Sequence, residues 1–465
     1  MAVPLVAWPD ECIYLVGARN VVERGTLDTN FYLTHSLLVR GYPHRDVHLP
    51  GYVLSLAPFV KALGPGLEAG RALNLALFLG CTLLVYVVAS RLLEHRVQAL
   101  AAAGLYTLLP PFPGYLGVVY PELAACFVFL SGLAWLVGGR GLAHAVGAGV
   151  LFGLGPLFRE TLLFVLPVYL VRIPRRELLR GFLPGVLATL LLVVAPLAQN
   201  RAVHPNALYP SMLEDALRSD RPAERLVSVL HRNLDENLRL ALQADPWRNP
   251  EDAVLVFLAL LALAAGFAWR RLPRPTRQVA AATGGTLAAL SLAILALYVV
   301  RARGGVWGGV RAYMTWAPLL LVLATPLLFW PARRWVRVFL VMAVASGFVA
   351  VDRHQIRFFN RYKASDFEDQ NRNALYIARH IDRYQPRRIV SHSFVYGYTH
   401  YPVEVVWSLP NSFQELKALE QAIDFDFVIV HERKPLRLFL IRNPRYLRIN
   451  RDDRGAEFLI WRRLY

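Results

Sequence analysis

The chain is short of charge, of acid and of cysteine. Only 18% of its 465 residues are charged, against 55% that are apolar, and its mean hydropathy is +0.37. An ordinary soluble enzyme carries more charge than this, so the composition excludes that class and points to a polytopic membrane protein. Acid is the scarcer sign, with 33 Asp and Glu against 51 Lys and Arg and a formal charge of +18. In a soluble domain that imbalance would indicate nucleic acid. Here the arginines stand between apolar runs, so membrane topology accounts for them and no nucleic-acid partner is expected. Cys12, Cys81 and Cys126 are scattered, the last two within apolar runs, and form neither a disulfide framework nor a metal site. There is no low-complexity tract and no clear internal repeat.

What is present is a series of about ten apolar segments, read as membrane-crossing helices: 70–90, 97–112, 119–138, 142–157, 160–173, 181–199, 252–270, 279–300, 312–330 and 335–351. Basic residues alternate between their links. One set carries Arg91 and Arg96, Arg140, Arg172 to Arg180, Arg270 to Arg277, and Arg333 to Arg337. The positive-inside rule places these links in the cytoplasm. Residues 9–69, the loop 200–251 and everything after 352 then face outward. The segments 142–157 and 160–173 are short for a full span, but one broken helix would put the basic run 172–180 outside, so two short crossings fit better. The opening "MAVPLVAW" is about 12 Å of helix, too short to span. It reads as the outer end of a first helix whose start is missing from this sequence.

After 352 the character changes. Residues 373–385 have helical spacing, and 388–394, 425–432 and 456–464 read as strands. The organisation expected is a transmembrane domain over 1–351 and a small extracytoplasmic α/β domain over 352–465. In the first outer loop, "ECIYLVGARNVVERG" (11–25) reads as a surface-lying helix with Glu11, Arg19, Asn20 and Glu23 on its polar side and a stop at Gly25. A second short helix is expected at 52–63.

This order of features resembles the GT-C fold glycosyltransferases that use polyprenyl-phosphate sugars, a superfamily with protein mannosyltransferases, lipid A aminoarabinose transferases and rhizobial lipopolysaccharide transferases. "PDECIYLVGARNVVERG" (9–25) is similar to the family's first outer loop, and "HLPGYVLSLAPFVKALG" (48–64) to the segment that follows. "RALNLALFLGCTLLVYVVASRLL" (71–93), "YPELAACFVFL" (120–130), "GVLFGLGPLFRETLLFVLPV" (149–168), "APLAQNRAV" (195–203) and "GVRAYMTWAPLLLVLA" (309–324) follow in the family's order. The usual arginine–asparagine pair is reversed here as Asn200-Arg201. The resemblance covers nearly the whole chain. It implies a multi-pass protein of the inner or plasma membrane that moves a sugar from a lipid phosphate to a lipid, glycan or protein acceptor on the outer side, with inversion at the anomeric carbon.

Such a transfer needs a base for the acceptor and positive charge for the leaving phosphate. The resemblance implies Asp10 as the base; the alternative is a helix N-cap. Glu11 could hold the acceptor or a divalent cation, or be an exposed first-turn acid that complements the helix dipole. No residue pattern calls for any other cofactor. For the donor phosphate the candidates are Arg159, Arg201 and Arg311, because guanidinium suits bidentate phosphate binding. Arg159 has a structural alternative, a pairing with Glu160 that caps helix ends. Arg301 and Arg303 lie on the same face and can snorkel. His48, Glu122, Glu160 and Tyr313 are candidates to line the cavity, each with a bland alternative as a loop residue, a first-turn acid or a packing group. Tyr398 and His400 carry no specific signal. Two other classes fit the pattern less well: a transporter or flippase of a lipid-linked sugar, which would place its charges at mid-membrane, and a noncatalytic glycan-binding relative.

Overall fold

The structure is a computed structural model that describes residues 9–27, 31–33, 50–93, 95–110, 112–194, 224, 250–300, 313–330, 333–366, 368–391, 403–407, 413–431, 436–450 and 458–464. In chain order, α1 is Pro9–Arg24, β1 Phe31–Leu33, α2 Pro50–Leu63, α3 Leu67–Leu92, α4 Arg96–Tyr106, α5 Glu122–Gly138, α6 Leu142–Leu154, α7 Leu166–Leu170 and α8 Leu183–Thr189. Then come α9 Pro250–Ala268, α10 Arg274–Val300, α11 Ala317–Ala324, α12 Arg334–Asp366 and α13 Glu368–Tyr384. The last part holds β2 Arg388–Ser391, β3 Glu404–Trp407, α14 Phe413–Ala422, β4 Phe427–His431, α15 Leu436–Arg442, β5 Tyr446–Arg448 and β6 Phe458–Arg463. Two compact units result. One comprises Met1–Leu73, Val118–Tyr120 and Phe359–Tyr465, the other Asn74–Gly117 and Pro121–Phe358.

The helical unit places helix on each apolar segment of the sequence, with short tight or wide turns of helix extending α6, α7, α8 and α11. Among the described residues two helical stretches, Leu67–Leu92 and Arg334–Arg353, are long and apolar enough to cross a membrane; Glu122–Gly138, Leu142–Leu157, Thr161–Leu170 and Ala317–Phe329 are shorter apolar helices. The exposed faces are made of the wrong material for water. On α3, Leu75, Leu79 and Leu83 recur every fourth residue and are 49%, 60% and 63% exposed, while Cys81, Val85, Val88 and Ala89 on the other side are buried. Rows of outward leucine belong in lipid. In contrast α5 is apolar and buried nearly all round, as befits the centre of a bundle.

Close helix packing comes from paired small residues. Gly149 and Gly153 of α6 and, from just before α8 into it, Gly181 and Gly185 form two small-xxx-small repeats that let the backbones approach, Gly149 against Phe182 and Gly153 against Thr189. A Cβ on Gly149 would lie 2.2 Å from the Phe182 carbonyl oxygen, and one on Gly185 2.6 Å from that of Val146. Because both obstacles are backbone, Gly149→Ala forces the helices apart. The expected cost is about 1–3 kcal/mol, read as a lower midpoint in denaturant titration of the protein in mixed micelles; an unchanged midpoint would refute this packing.

The other unit is built on a six-stranded sheet of order β1-β3-β2-β4-β6-β5. β1, β3, β2 and β4 run parallel, and β6 and β5 add antiparallel. The strands read at 388–394, 425–432 and 456–464 appear as β2, β4 and β6, and the helix at 373–385 appears within α13. Strand alternation divides the core. Val390, Val406, Val428, Val430, Leu459 and Trp461 pack with α14 and α15 on one face. On the other, Phe427 meets Tyr384 of α13 edge to face, and Ile377 and Ile381 are buried. The sequence reading lacked β1, β3 and β5. β1 comes from the first outer loop and joins the tail's sheet, with Phe31 opposite Val405 and Leu33 opposite Trp407.

α1 and α2 belong to this same unit. α1 ends where expected: Gly25 takes a left-handed conformation with φ of 68°, and its N–H reaches the Val21 carbonyl at 3.1 Å. α2 ends likewise at Gly64, with φ of 88°. α1 differs from the surface-lying helix expected. Residues 11–18 are all buried, and so is Asn20, which the sequence put on the polar side. α2 and the segment 118–120 cover more of the helix than its apolar stripe alone. Glu23 does stay outward and pairs at 2.8 Å with the half-buried Arg19.

Candidate functional site

α1 begins at Pro9, a residue suited to the first helical position because it has no N–H to leave unpaired. Asp10 therefore lies inside the first turn, not at the cap position before it, and its side chain lies outside the described residues. Glu11 is fully buried, which corrects the alternative of an exposed first-turn acid. Its Oε1 accepts the backbone N–H of Val119 at 2.7 Å. A buried carboxylate requires such a donor, and the bond to a charged acceptor is stronger than a neutral one. The segment that supplies it is held tightly: a Cβ on Gly70 would come within 2.4 Å of a Val119 methyl. Tyr14, one turn after Asp10, stands edge-on to Tyr52 at 5.1 Å and to Tyr120 at 6.4 Å between ring centres. α1, α2 and the 118–120 segment are thus fastened to one another around Glu11.

In the helical unit Glu122, at the first residue of α5, is a buried acid, as is Asp352 of α12. Oε1 of Glu122 accepts a hydrogen bond from Nη2 of Arg159. Arg159 has extended backbone angles, φ −154° and ψ 131°, at the break between the end of α6 and the tight helical turn 160–165. That break turns the chain back on itself: the Arg159 N–H reaches the Gly155 carbonyl at 3.1 Å, and Tyr169 of the returning arm donates to the Phe129 carbonyl at 3.0 Å. The hairpin aims the guanidinium at Glu122. The acid seen beside Arg159 thus comes from a neighbouring helix, 37 residues back in the chain. The side chain of Glu160 lies outside the described residues.

Tyr313, half-buried, donates to the Ser291 hydroxyl of α10 at 2.7 Å. His48, Arg201, Arg301, Arg303, Arg311, Tyr398 and His400 lie outside the described residues. Cys12, Cys81 and Cys126 are buried and form no disulfide. Among the described residues no group of three or more His, Cys, Asp or Glu stands close enough to hold a metal ion.

A crystal structure of ArnT from Cupriavidus metallidurans bound to undecaprenyl phosphate superposes at a TM-score of 0.58, covering 98% of this chain and 94% of that one at 13% identity. The chain has the GT-C fold. That fold joins a helical membrane bundle to a small sheet domain, as here. The apo-state structure of the same protein aligns at a TM-score of 0.47 and 13% identity, covering 99% of this chain and 94% of that one. No protein-family model matches the sequence, and no curated protein sequence matches it significantly.

Within this GT-C chain, sequence reasoning selected Glu11, Glu122 and Arg159 but not the pairing of the last two. It missed Val119 altogether, because a backbone N–H offers no side-chain signal. It also missed Tyr14, Tyr52 and Tyr120; "CIYL", "PGYVL" and "VVYPE" each put a tyrosine next to a motif already singled out, which was the available clue.

Proposed function

We propose that the chain is an integral-membrane glycosyltransferase. It moves a sugar from a polyprenyl-phosphate donor to a lipid, glycan or protein acceptor on the extracytoplasmic side of the inner or plasma membrane. The observation that carries this reading is the likeness over nearly the whole chain to a protein whose structure holds undecaprenyl phosphate. In the step proposed, the acceptor oxygen or nitrogen bonds to the anomeric carbon and its proton passes to Asp10. The bond from that carbon to the phosphate oxygen breaks, and the polyprenyl phosphate leaves with the electron pair.

The acid pair divides the work. Glu11 is a positioning residue: one of its oxygens is taken by Val119, and it holds the start of α1 in place. Asp10, next to it, is the base. Arg159, with Arg201 and Arg311, is assigned to the leaving phosphate, where a fixed positive charge stabilises the developing negative charge. Glu122 orients Arg159. Comparing membrane glycans by mass spectrometry with and without the gene tests the reading. A product that differs by one sugar is expected; an identical glycan profile with unsugared donor unchanged would refute it.

Orientation has its own test. A cysteine at Lys417, on the exposed side of α14, is expected to react with an impermeant thiol reagent in intact cells, or in spheroplasts where an outer membrane intervenes. The three native thiols are buried and give little background. Labelling only after lysis would reverse the assigned topology.

A further inference from the structure

We propose that the outward face of α15 docks on an anionic phospholipid surface and pins the sheet domain to the membrane. α15 is short, and its two sides differ sharply. Leu436 and Leu440 are buried in the core beside α14, whereas Leu438 and Ile441 are 63% and 55% exposed. At about 100° per residue, Ile441 and Leu438 occupy the centre of the outer face, with Arg437 to one side and Arg442 to the other. Phe413, packed at a tilt on Phe439 with ring centres 4.1 Å apart, is itself 43% exposed and widens the apolar area.

Along the helix and the strand that follows it the charge is of one sign. Residues 436–448 contain four arginines and no acid. Exposed Arg445 follows directly after the helix, and its backbone N–H is held by Asn443 Oδ1 at 3.0 Å. The nearby Glu420 is occupied by the Tyr446 hydroxyl, which donates to it. Burial and that carboxylate together push the Tyr446 phenol above its ordinary range, so it adds no negative charge. A face meant for water would carry polar groups at 438 and 441. Two aliphatic side chains bordered by the exposed Arg442 and Arg445 form the pattern of an interfacial helix: the aliphatics enter the acyl boundary and those two guanidiniums reach the phosphates. The sheet domain follows a membrane-type helix in the chain, so a bilayer is the surface always at hand.

This inference rests on the chain being membrane-embedded and not on sugar transfer. The test uses the full chain in nanodiscs of equal parts phosphatidylglycerol and phosphatidylcholine. Leu438→Cys carries an environment-sensitive fluorophore, and the comparison is the same label on Arg379→Cys, exposed on α13 across the sheet. Nitroxide lipid is expected to quench the label at 438 at least about twofold more than the label at 379. Adding Arg442→Glu with Arg445→Glu should remove the difference. Equal or greater quenching at 379 would overturn the proposal. So would shielding of the label at 438 that ignores lipid nitroxide and disappears on dilution, which would make a second copy the occupant. No outcome depends on transferase activity, so failure here leaves the glycosyltransferase reading standing.

Discussion

Replacing Asp10 with Asn leaves the protein folded and inserted and lowers sugar transfer by about 10²–10⁴-fold. The size of the loss separates two explanations for the acid. Asp10 sits in the first turn of α1, where a carboxylate complements the helix dipole. That contribution is worth only about 0.3–1 kcal/mol, and Asn retains the size of the side chain. A helix-start role therefore predicts a slightly lower unfolding midpoint and nearly normal transfer. A general-base role predicts the opposite: an unchanged midpoint and almost no transfer. Glu11→Gln gives the complementary result. Its carboxamide oxygen can still accept the Val119 N–H, but without the charge, so a moderate loss of stability and a smaller loss of rate are expected. Near-normal transfer by Asp10→Asn, together with a dead Glu11→Gln, would move the base to Glu11.

Removing Arg159 has the second large effect, and it acts on two quantities at once. Arg159→Ala removes the cation paired with Glu122, which is 1% exposed. Breaking a buried pair by deleting one member costs about 3–5 kcal/mol. If the same guanidinium also holds the leaving phosphate, donor use falls by a further 10- to 100-fold or so, the equivalent of about 1.5–3 kcal/mol for a charge-assisted hydrogen bond. The double variant Arg159→Ala with Glu122→Gln isolates the two. Neutralising Glu122 should restore most of the stability while donor kinetics remain poor. Recovery of both by the double variant would reduce Arg159 to a structural partner of Glu122. Acceptor dependence should change little in either variant.

Much of the architecture was legible locally. The apolar runs became helices because backbone groups in lipid must be satisfied within the segment, and a helix does this with near neighbours alone. The outward leucines of α3 and the all-round burial of α5 follow from the same runs. Gly25 ended α1 because a left-handed terminal residue needs no Cβ. β2, β4 and β6 showed themselves by their β-branched and aromatic content, whereas β3, as long as β2, was not read. β1 and β5, at three residues each, are too short to show a pattern, and β1 is a strand only because β3 offers it an edge.

The candidate site divides along the same line. The sequence by itself determined which acids and arginines stand out, because a charge in an apolar chain is costly wherever it falls. Only the tertiary structure decided what those charges meet. Glu11 finds its donor 108 residues away on the backbone of Val119, and Arg159 finds its acid 37 residues back, on another helix. Helical periodicity carries information over three or four residues, and neither partner lies within that reach. The buried side of α1 was misjudged for the same reason: Glu11 and Asn20 look like surface residues until α2 and the 118–120 segment close over them, and burial is a property of what packs against a residue, not of the residue.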